Sequence, residues 1–348
     1  MKKYALVVGI SSYADPDITD LAFAAHDAEE IGICLREQCG FDDVRTITSG
    51  GPKEPDHVNV VDALHSLAPL LSPDDLFLFY FAGHGIETRT GAHLLTSNSR
   101  IRMPELASVS KEVLSDCLSR IECADRVLIL DACRNDPRKG MGDQDNLLTS
   151  GFSRDIIAVA ETPVEGVIPT TCVLFSCRPG ERAYEWPDMR HGAFSHYLLE
   201  GLRGAAADAS GNITVQALGR YVEAQVPRWA KKAGTPRPQT PWGEHKGSWR
   251  EISLASRVAS LPRAQPRPAP PPKPVTILGD PGPILLAGGG TAPIAEGSQR
   301  PGIAAPPQQR IDLDATLDDL ESLQDRELAE TLDELERLQK AEKGVQHE

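Results

Sequence analysis

The chain has 348 residues, of which 40% are apolar and 25% charged, and its formal net charge at pH 7 is −14. This length and apolar content predict one or two domains with a full core, and the negative charge argues against general binding to nucleic acid or anionic membranes. The seven cysteines include no Cys-x-x-Cys pair, which indicates reduced thiols inside a cell. No apolar run is long enough to cross a membrane, so we expect a soluble, cytoplasmic protein.

Apolar segments of strand length alternate along the chain with segments of helical spacing. This alternation predicts an α/β fold with a largely parallel, layered sheet. A short hairpin is expected near residues 91–96, and residues 236–249 are expected to wrap over the surface. The predicted strands cover residues 4–10, 44–48, 75–82, 126–132 and 171–175, and the predicted helices cover 20–39, 57–71, 104–121, 193–202 and 215–229.

Two of the predicted strands lead directly to reactive side chains. One apolar run ends at Gly83-His84-Gly85, and the other ends at Asp131-Ala132-Cys133. Sites in open α/β sheets lie at the carboxyl ends of parallel strands, so His84 and Cys133 are expected to share one crevice. A cysteine beside a histidine is a nucleophile with its base. The alternative for Cys133 is a buried structural thiol.

The cysteine motif carries a family resemblance. Asp131-Ala132-Cys133-Arg134-Asn135, with a histidine 49 positions upstream, resembles the caspase signature, and the Asp before Ala-Cys is similar to metacaspases and their bacterial relatives. The resemblance covers about residues 1–250 and implies a caspase-like three-layer sandwich, with a mostly parallel central sheet flanked by helices. It also implies an oxyanion hole made by the backbone N–H groups of Gly85 and Cys133. No cofactor is expected. Calcium activates some metacaspases, and because their acidic ligand positions have no clear counterpart here, a calcium site stays unassigned.

The same resemblance implies a pocket for a basic residue at the cleavage site. Asp131 lies two residues before Cys133, so in an extended chain both side chains lie on one face. Metacaspase-like enzymes pair this Asp with one from the first helix, and the matching position is Asp27. Two carboxylates in one pocket favour a guanidinium or an ammonium group. The alternatives are a helix-surface or first-turn acid at Asp27 and a turn-capping role for Asp131.

Two polar segments follow these strands. Residues 134–169 are predicted to form a long loop, in which Arg138, Lys139 and Arg154 are candidates for self-cleavage, because exposed Gly-containing loops are preferred nicking sites. Residues 176–185 correspond to a loop that lines the substrate cleft in caspase-like enzymes. Four further histidines are expected to be ordinary polar or core residues: His26, His93, His191 and His196.

The composition changes after residue 255. This change divides the chain into a caspase-like domain at 1–255, a proline-rich disordered linker at 256–310 and an acidic segment at 311–343. Leucines in the acidic segment recur mostly three or four residues apart, which predicts an amphipathic helix. Such a helix would be marginal alone in water, so we expect it to bind a basic partner protein, with a homo-oligomeric coil as the alternative.

These features together predict a cysteine endopeptidase that uses His84 and Cys133 to cleave proteins or peptides after Arg or Lys. We expect a regulated bacterial protease of a stress, defence or cell-death pathway. One alternative is a caspase-like signalling scaffold with weak or no turnover that acts through its C-terminal helix. A third reading, an α/β hydrolase of small acyl or amide substrates, lacks a Gly-x-Ser-x-Gly elbow.

Overall fold

The computed structural model describes residues 1–132, 149–164, 169–247 and 251–256. Several predicted features lie outside these described residues. They are Cys133, Arg138, Lys139, the linker from residue 257 onward and the C-terminal helix at 311–343.

The described residues alternate between strands and helices. The strands are β1 (Lys3–Gly9), β2 (Asp43–Thr48), β3 (Leu76–Ala82), β4 (Gly85–Thr88), β5 (Gly91–Leu94), β6 (Val109–Ser110), β7 (Asp125–Asp131), β8 (Thr170–Phe175), β9 (Glu185–Trp186), β10 (His191–Gly192), β11 (Ile213–Thr214), β12 (Trp242–Lys246) and β13 (Ser253–Ala255). The helices are α1 (Ala24–Glu37), α2 (His57–Leu67), α3 (Lys111–Ser119), α4 (Ser150–Ala160), α5 (Ala193–Glu200) and α6 (Val215–Ala233). None of these helices has both the length and the apolar character that a membrane span requires.

A six-stranded sheet occupies the centre of the described chain, in the order β12-β8-β7-β3-β1-β2. All neighbours run parallel except β12, which pairs antiparallel with β8. Strands β3 and β7 are adjacent, and Ala82 at the end of β3 pairs with Asp131 at the end of β7. The prediction of a mostly parallel sheet is therefore confirmed.

Helices cover both faces of this sheet. Alternate side chains of a strand point to opposite faces, so β3 directs its phenylalanines into one core and Leu78, Tyr80 and Ala82 into the other. Helices α2, α3 and α4 pack on the phenylalanine side, whereas α1, α5 and α6 pack on the side of Tyr80. The result is the three-layer sandwich that the resemblance implied.

Most of the helices begin at a residue that can cap them. The side chain of the capping residue accepts the backbone N–H three residues later, which satisfies one of the amides left open at a helix start. The caps are Asp56 for α2, Ser110 for α3, Thr149 for α4 and Thr214 for α6.

Three of the secondary-structure predictions are wrong. The helix expected at 104–121 is divided into a 3₁₀ turn, the short strand β6 and α3, because the capping residue of α3 is Ser110. The loop expected at 134–169 contains α4, which places Arg154 on a helix. Residues 242–246 form the sheet's edge strand β12, where we expected a surface wrap.

Candidate active site

His84 follows β3 by two residues and is 1% exposed. Its backbone N–H donates to the Tyr13 hydroxyl at 3.0 Å, and its Nε2 lies 2.8 Å from the carbonyl oxygen of Thr19. A carbonyl oxygen can only accept a hydrogen bond, so Nε2 carries the hydrogen and Nδ1 is the basic nitrogen of the neutral ring. Both contacts come from the loop between β1 and α1, which therefore sets the tautomer of His84.

The hydrogen bonds between β3 and β7 continue beyond the ends of the strands. The N–H of Gly83 donates to the carbonyl of Asp131 at 3.3 Å, and the N–H of Gly85 donates to the carbonyl of Ala132 at 3.1 Å. The backbone around His84 therefore lies beside Ala132, the residue that precedes Cys133. The Gly85 N–H, predicted to serve an oxyanion hole, is engaged with Ala132 here. Its role in oxyanion binding stays a prediction and requires the release of that carbonyl.

Packing explains the glycine that follows His84. A Cβ at Gly85 would lie 2.8 Å from the ring of Phe152 on α4 and 3.2 Å from the Cβ of Ala132. The 2.8 Å contact is shorter than relaxed structures allow, so a side chain here would push α4 away from the ends of β3 and β7. Gly85 therefore keeps the two strand ends and α4 in close contact.

The carboxylates of Asp27 and Asp131 both bind to the beginning of α5. Asp27 is 0% exposed, with its Oδ1 2.6 Å from Nδ1 of His191 and its Oδ2 accepting the N–H of Gly192 at 2.9 Å. Asp131 is 1% exposed and accepts the hydroxyl of Ser195 at 2.8 Å. The positive end of the helix dipole favours anions at this place. The helix-surface alternative for Asp27 is wrong, because that side chain is fully buried.

His191 belongs to a group of three histidines next to Asp27. Its ring stacks on His26 with 4.9 Å between the ring centroids, and it lies 5.8 Å from the ring of His196. Burial lowers the pKa of His26, and the nearby His191 lowers it further. Burial also lowers the pKa of His196. No local sequence signal distinguishes His191 from an ordinary polar or core histidine, because its partner Asp27 is 164 positions away.

The acidic side chains of the loop at residues 176–185 hold neighbouring segments in place. Glu185 accepts two backbone N–H groups just before α1, at 2.9 and 3.2 Å. Glu181 accepts the N–H and the hydroxyl of Thr240, at 2.6 and 3.0 Å. These contacts give Glu181 and Glu185 structural roles.

The six cysteines in the described part of the chain are all buried. Burial raises the pKa of the thiols of Cys117 and Cys123 to about 11 and that of Cys172 to about 12. A thiol must ionise before it can attack a carbonyl carbon, so these three are poor nucleophiles near neutral pH. The one remaining cysteine of the sequence, Cys133, lies outside the described residues.

Comparison with known proteins gives the family. The sequence pattern of the caspase domain matches residues 2–246. The chain belongs to the caspase domain family. Similar solved structures include a protein from Geobacter sulfurreducens, with 16% identity, a TM-score of 0.49, and 71% of this chain and 94% of that chain covered. They also include caspase-1 from Spodoptera frugiperda, with 12% identity, a TM-score of 0.47, and 74% and 91% covered. No curated protein matches the chain.

Caspase domains are cysteine peptidases, so this caspase-domain protein is a hydrolase that acts on protein substrates. The predictions of family and enzyme class are confirmed. Among the described residues of the caspase domain, no group of three or more His, Cys, Asp or Glu side chains could hold a metal ion.

Proposed function

We propose that this caspase-domain protein is an endopeptidase in which His84 activates Cys133 and which cleaves after Arg or Lys. The observation that carries the proposal is the pairing of Ala82 with Asp131 on two adjacent parallel strands. His84 and Cys133 each follow a member of this pair by two residues. Because the backbone hydrogen bonds extend as far as Ala132, equal spacing along the two chains favours adjacent side chains.

The tautomer of His84 supports a role as base and then as acid. Its Nδ1 would take the proton from the Cys133 thiol, and the thiolate would form a bond to the carbonyl carbon of the substrate. The same nitrogen would then give the proton to the leaving amine as the C–N bond breaks. A water molecule deprotonated by Nδ1 would hydrolyse the thioester and restore the thiol. Throughout this cycle Thr19 would keep the hydrogen on Nε2.

The two carboxylates at the start of α5 support a basic cleavage site. Asp27 and Asp131 are almost fully buried, so a cation that reaches them would form an ion pair shielded from water. Charge pairs of this kind discriminate strongly against neutral and acidic partners. A substrate guanidinium also matches the geometry of a carboxylate.

Digestion of a positional-scanning peptide library tests this proposal. We expect cleavage after Arg and Lys by the wild type and none by the folded variants Cys133→Ala and His84→Ala, with the buried Cys172→Ala as control. Efficient cleavage after Asp would reject the basic pocket, and turnover by Cys133→Ala would reject the nucleophile. If the folded wild type cleaved no peptide at all, the scaffold alternative would be favoured.

The regulatory part of the proposal is supported by the sequence alone. We propose a cytoplasmic bacterial protease of stress, defence or cell death, whose acidic segment at 311–343 binds a basic partner protein. The regular leucine spacing between acidic residues supports the binding role. Deletion of residues 311–348 should leave peptide cleavage intact, whereas sedimentation of a stable full-length oligomer and a monomeric truncation would favour the coil alternative.

A further inference from the structure

Ser195 connects the strand before the nucleophile to its neighbouring strand. It lies in the first turn of α5 and is 0% exposed. Its Oγ is 2.8 Å from Oδ2 of Asp131 on β7 and 2.8 Å from the hydroxyl of Tyr80 on β3. Three buried polar groups, from a helix and two strands, therefore form one hydrogen-bond network.

The direction of the hydrogen bonds in this network follows from the number of hydroxyl hydrogens, one on Ser195 and one on Tyr80. Ser195 donates its one hydroxyl hydrogen to Oδ2 of Asp131. The bond between Ser195 and Tyr80 must then use the hydrogen of Tyr80. Each bond polarises the next one, so the donation by Tyr80 strengthens the donation by Ser195.

Strands β3 and β7 hold this hydrogen-bond network rigidly. Tyr80 pairs with Ile129, and Ala82 pairs with Asp131, so Tyr80 and Asp131 lie on the same face of the sheet, two residue pairs apart along the strands. Ser195 approaches that face from α5, which packs there. The two hydroxyl groups therefore orient the Asp131 carboxylate by means of elements that have little freedom to move.

We infer that Ser195, supported by Tyr80, is a positioning residue that orients the Asp131 carboxylate, and thereby sets the charge selectivity of the pocket. This inference rests on the proposed role of Asp131 in binding the basic residue of the substrate. A guanidinium pairs with a carboxylate in a defined planar geometry, so the orientation of the Asp131 carboxylate decides how well it pairs with the substrate cation. Loss of the Ser195 hydroxyl should therefore weaken the preference for a cation more than it weakens peptide binding in general.

The test compares two peptides that differ only in charge at the residue before the scissile bond. One carries arginine and the other carries citrulline, its neutral isostere, and kcat/KM is measured for both at neutral pH. In Ser195→Ala the arginine-to-citrulline ratio should fall by about tenfold. Tyr80→Phe should show a smaller change in the same direction. Ser195→Thr keeps a hydroxyl group and should therefore retain the wild-type ratio.

Ser153→Ala is the matched control, because Ser153 is a buried serine in the first turns of α4. It should leave the ratio unchanged. If Ser195→Ala does not fold, Tyr80→Phe carries the test. A wild type without an arginine preference would reject the role of Asp131, and the inference with it. A wild-type preference that persists unchanged in the folded variants would reject the inference alone.

Discussion

The hydroxyl of Tyr13 accepts the backbone N–H of His84 at 3.0 Å, and the two rings lie 5.2 Å apart. Tyr13 and Thr19 belong to the same loop, so one segment holds both the backbone and the ring of His84. The position of the imidazole therefore depends on the loop that follows β1 as well as on β3.

Tyr13→Phe should lower kcat/KM for an arginyl peptide by about tenfold. The substitution removes the acceptor of a buried N–H group, and an unsatisfied buried donor costs about 1–3 kcal/mol. Activity and thermal unfolding should be measured together, with Tyr4→Phe on β1 as the control for loss of a tyrosine hydroxyl. Full activity in Tyr13→Phe would show that the contact with Thr19 is sufficient.

Asp131→Asn should lower kcat/KM for an arginyl peptide by more than about tenfold, because removing one partner of a desolvated charge pair costs roughly 2–5 kcal/mol. Asp27→Asn should act in the same direction. If both carboxylates bind one guanidinium, the double variant should lose less than the sum of the two single losses. Strict additivity would mean that the two carboxylates act independently.

The strands of the site were predictable because their sequences are unambiguous. The apolar runs ending at Ala82 and Asp131 are too short for long helices and too apolar for surface strands, so adjacent buried strands were expected. Helix α4 also had a local signal, with Thr149 as a cap and Phe152, Ile156 and Val159 at helical spacing. It was missed because the polar residues before it suggested one continuous loop.

Other parts of the site carry no local signal. Ser195 and Asp131 are 64 positions apart, and only the packing of α5 on the sheet brings them together. Strand β12 has a mixed sequence without apolar alternation, so its pairing with β8 depends on tertiary structure. The sequence identified the strand-end residues, whereas the contacts that hold them depend on the fold.

Self-cleavage should occur after Arg138 or Lys139, and not after Arg154. Arg154 lies within α4, where the backbone is hydrogen-bonded and poorly suited to an extended cleavage site. The double variant Arg138→Ala/Lys139→Ala should block processing, with Arg154→Ala as the matched control. Intact mass spectrometry of the wild type beside Cys133→Ala measures this, and identical masses would count against processing.

Because of His93, the free energy of unfolding should decrease as the pH falls below about 6.5. It is 1% exposed and contacts the hydroxyl groups of Ser108, Thr88 and Thr90. Burial lowers its pKa, only partly opposed by nearby Glu105 and Glu112. An unfolded chain therefore takes up a proton at a pH where the folded chain does not, which favours unfolding by up to about 1.4 kcal/mol per pH unit.

Denaturant unfolding between pH 7.5 and 5.5 measures this effect. His93→Gln should be less stable than the wild type at pH 7.5 but should lose less stability on acidification. His245 is exposed, so the control variant His245→Gln should lose stability with falling pH as steeply as the wild type. The same slope in all three proteins would mean that another group controls the acid sensitivity.

Strand β12 covers an edge of the sheet that would otherwise be open to pairing with another chain. Before residues 242–246 are added, β8 is the outermost strand, with unpaired N–H and C=O groups beside an apolar sequence. Such an edge is a template for pairing with another chain, whereas β12 carries Glu244, His245 and Lys246, which discourage further strand addition. A chain truncated before Trp242 should therefore associate edge to edge, and the fraction of insoluble protein would measure this.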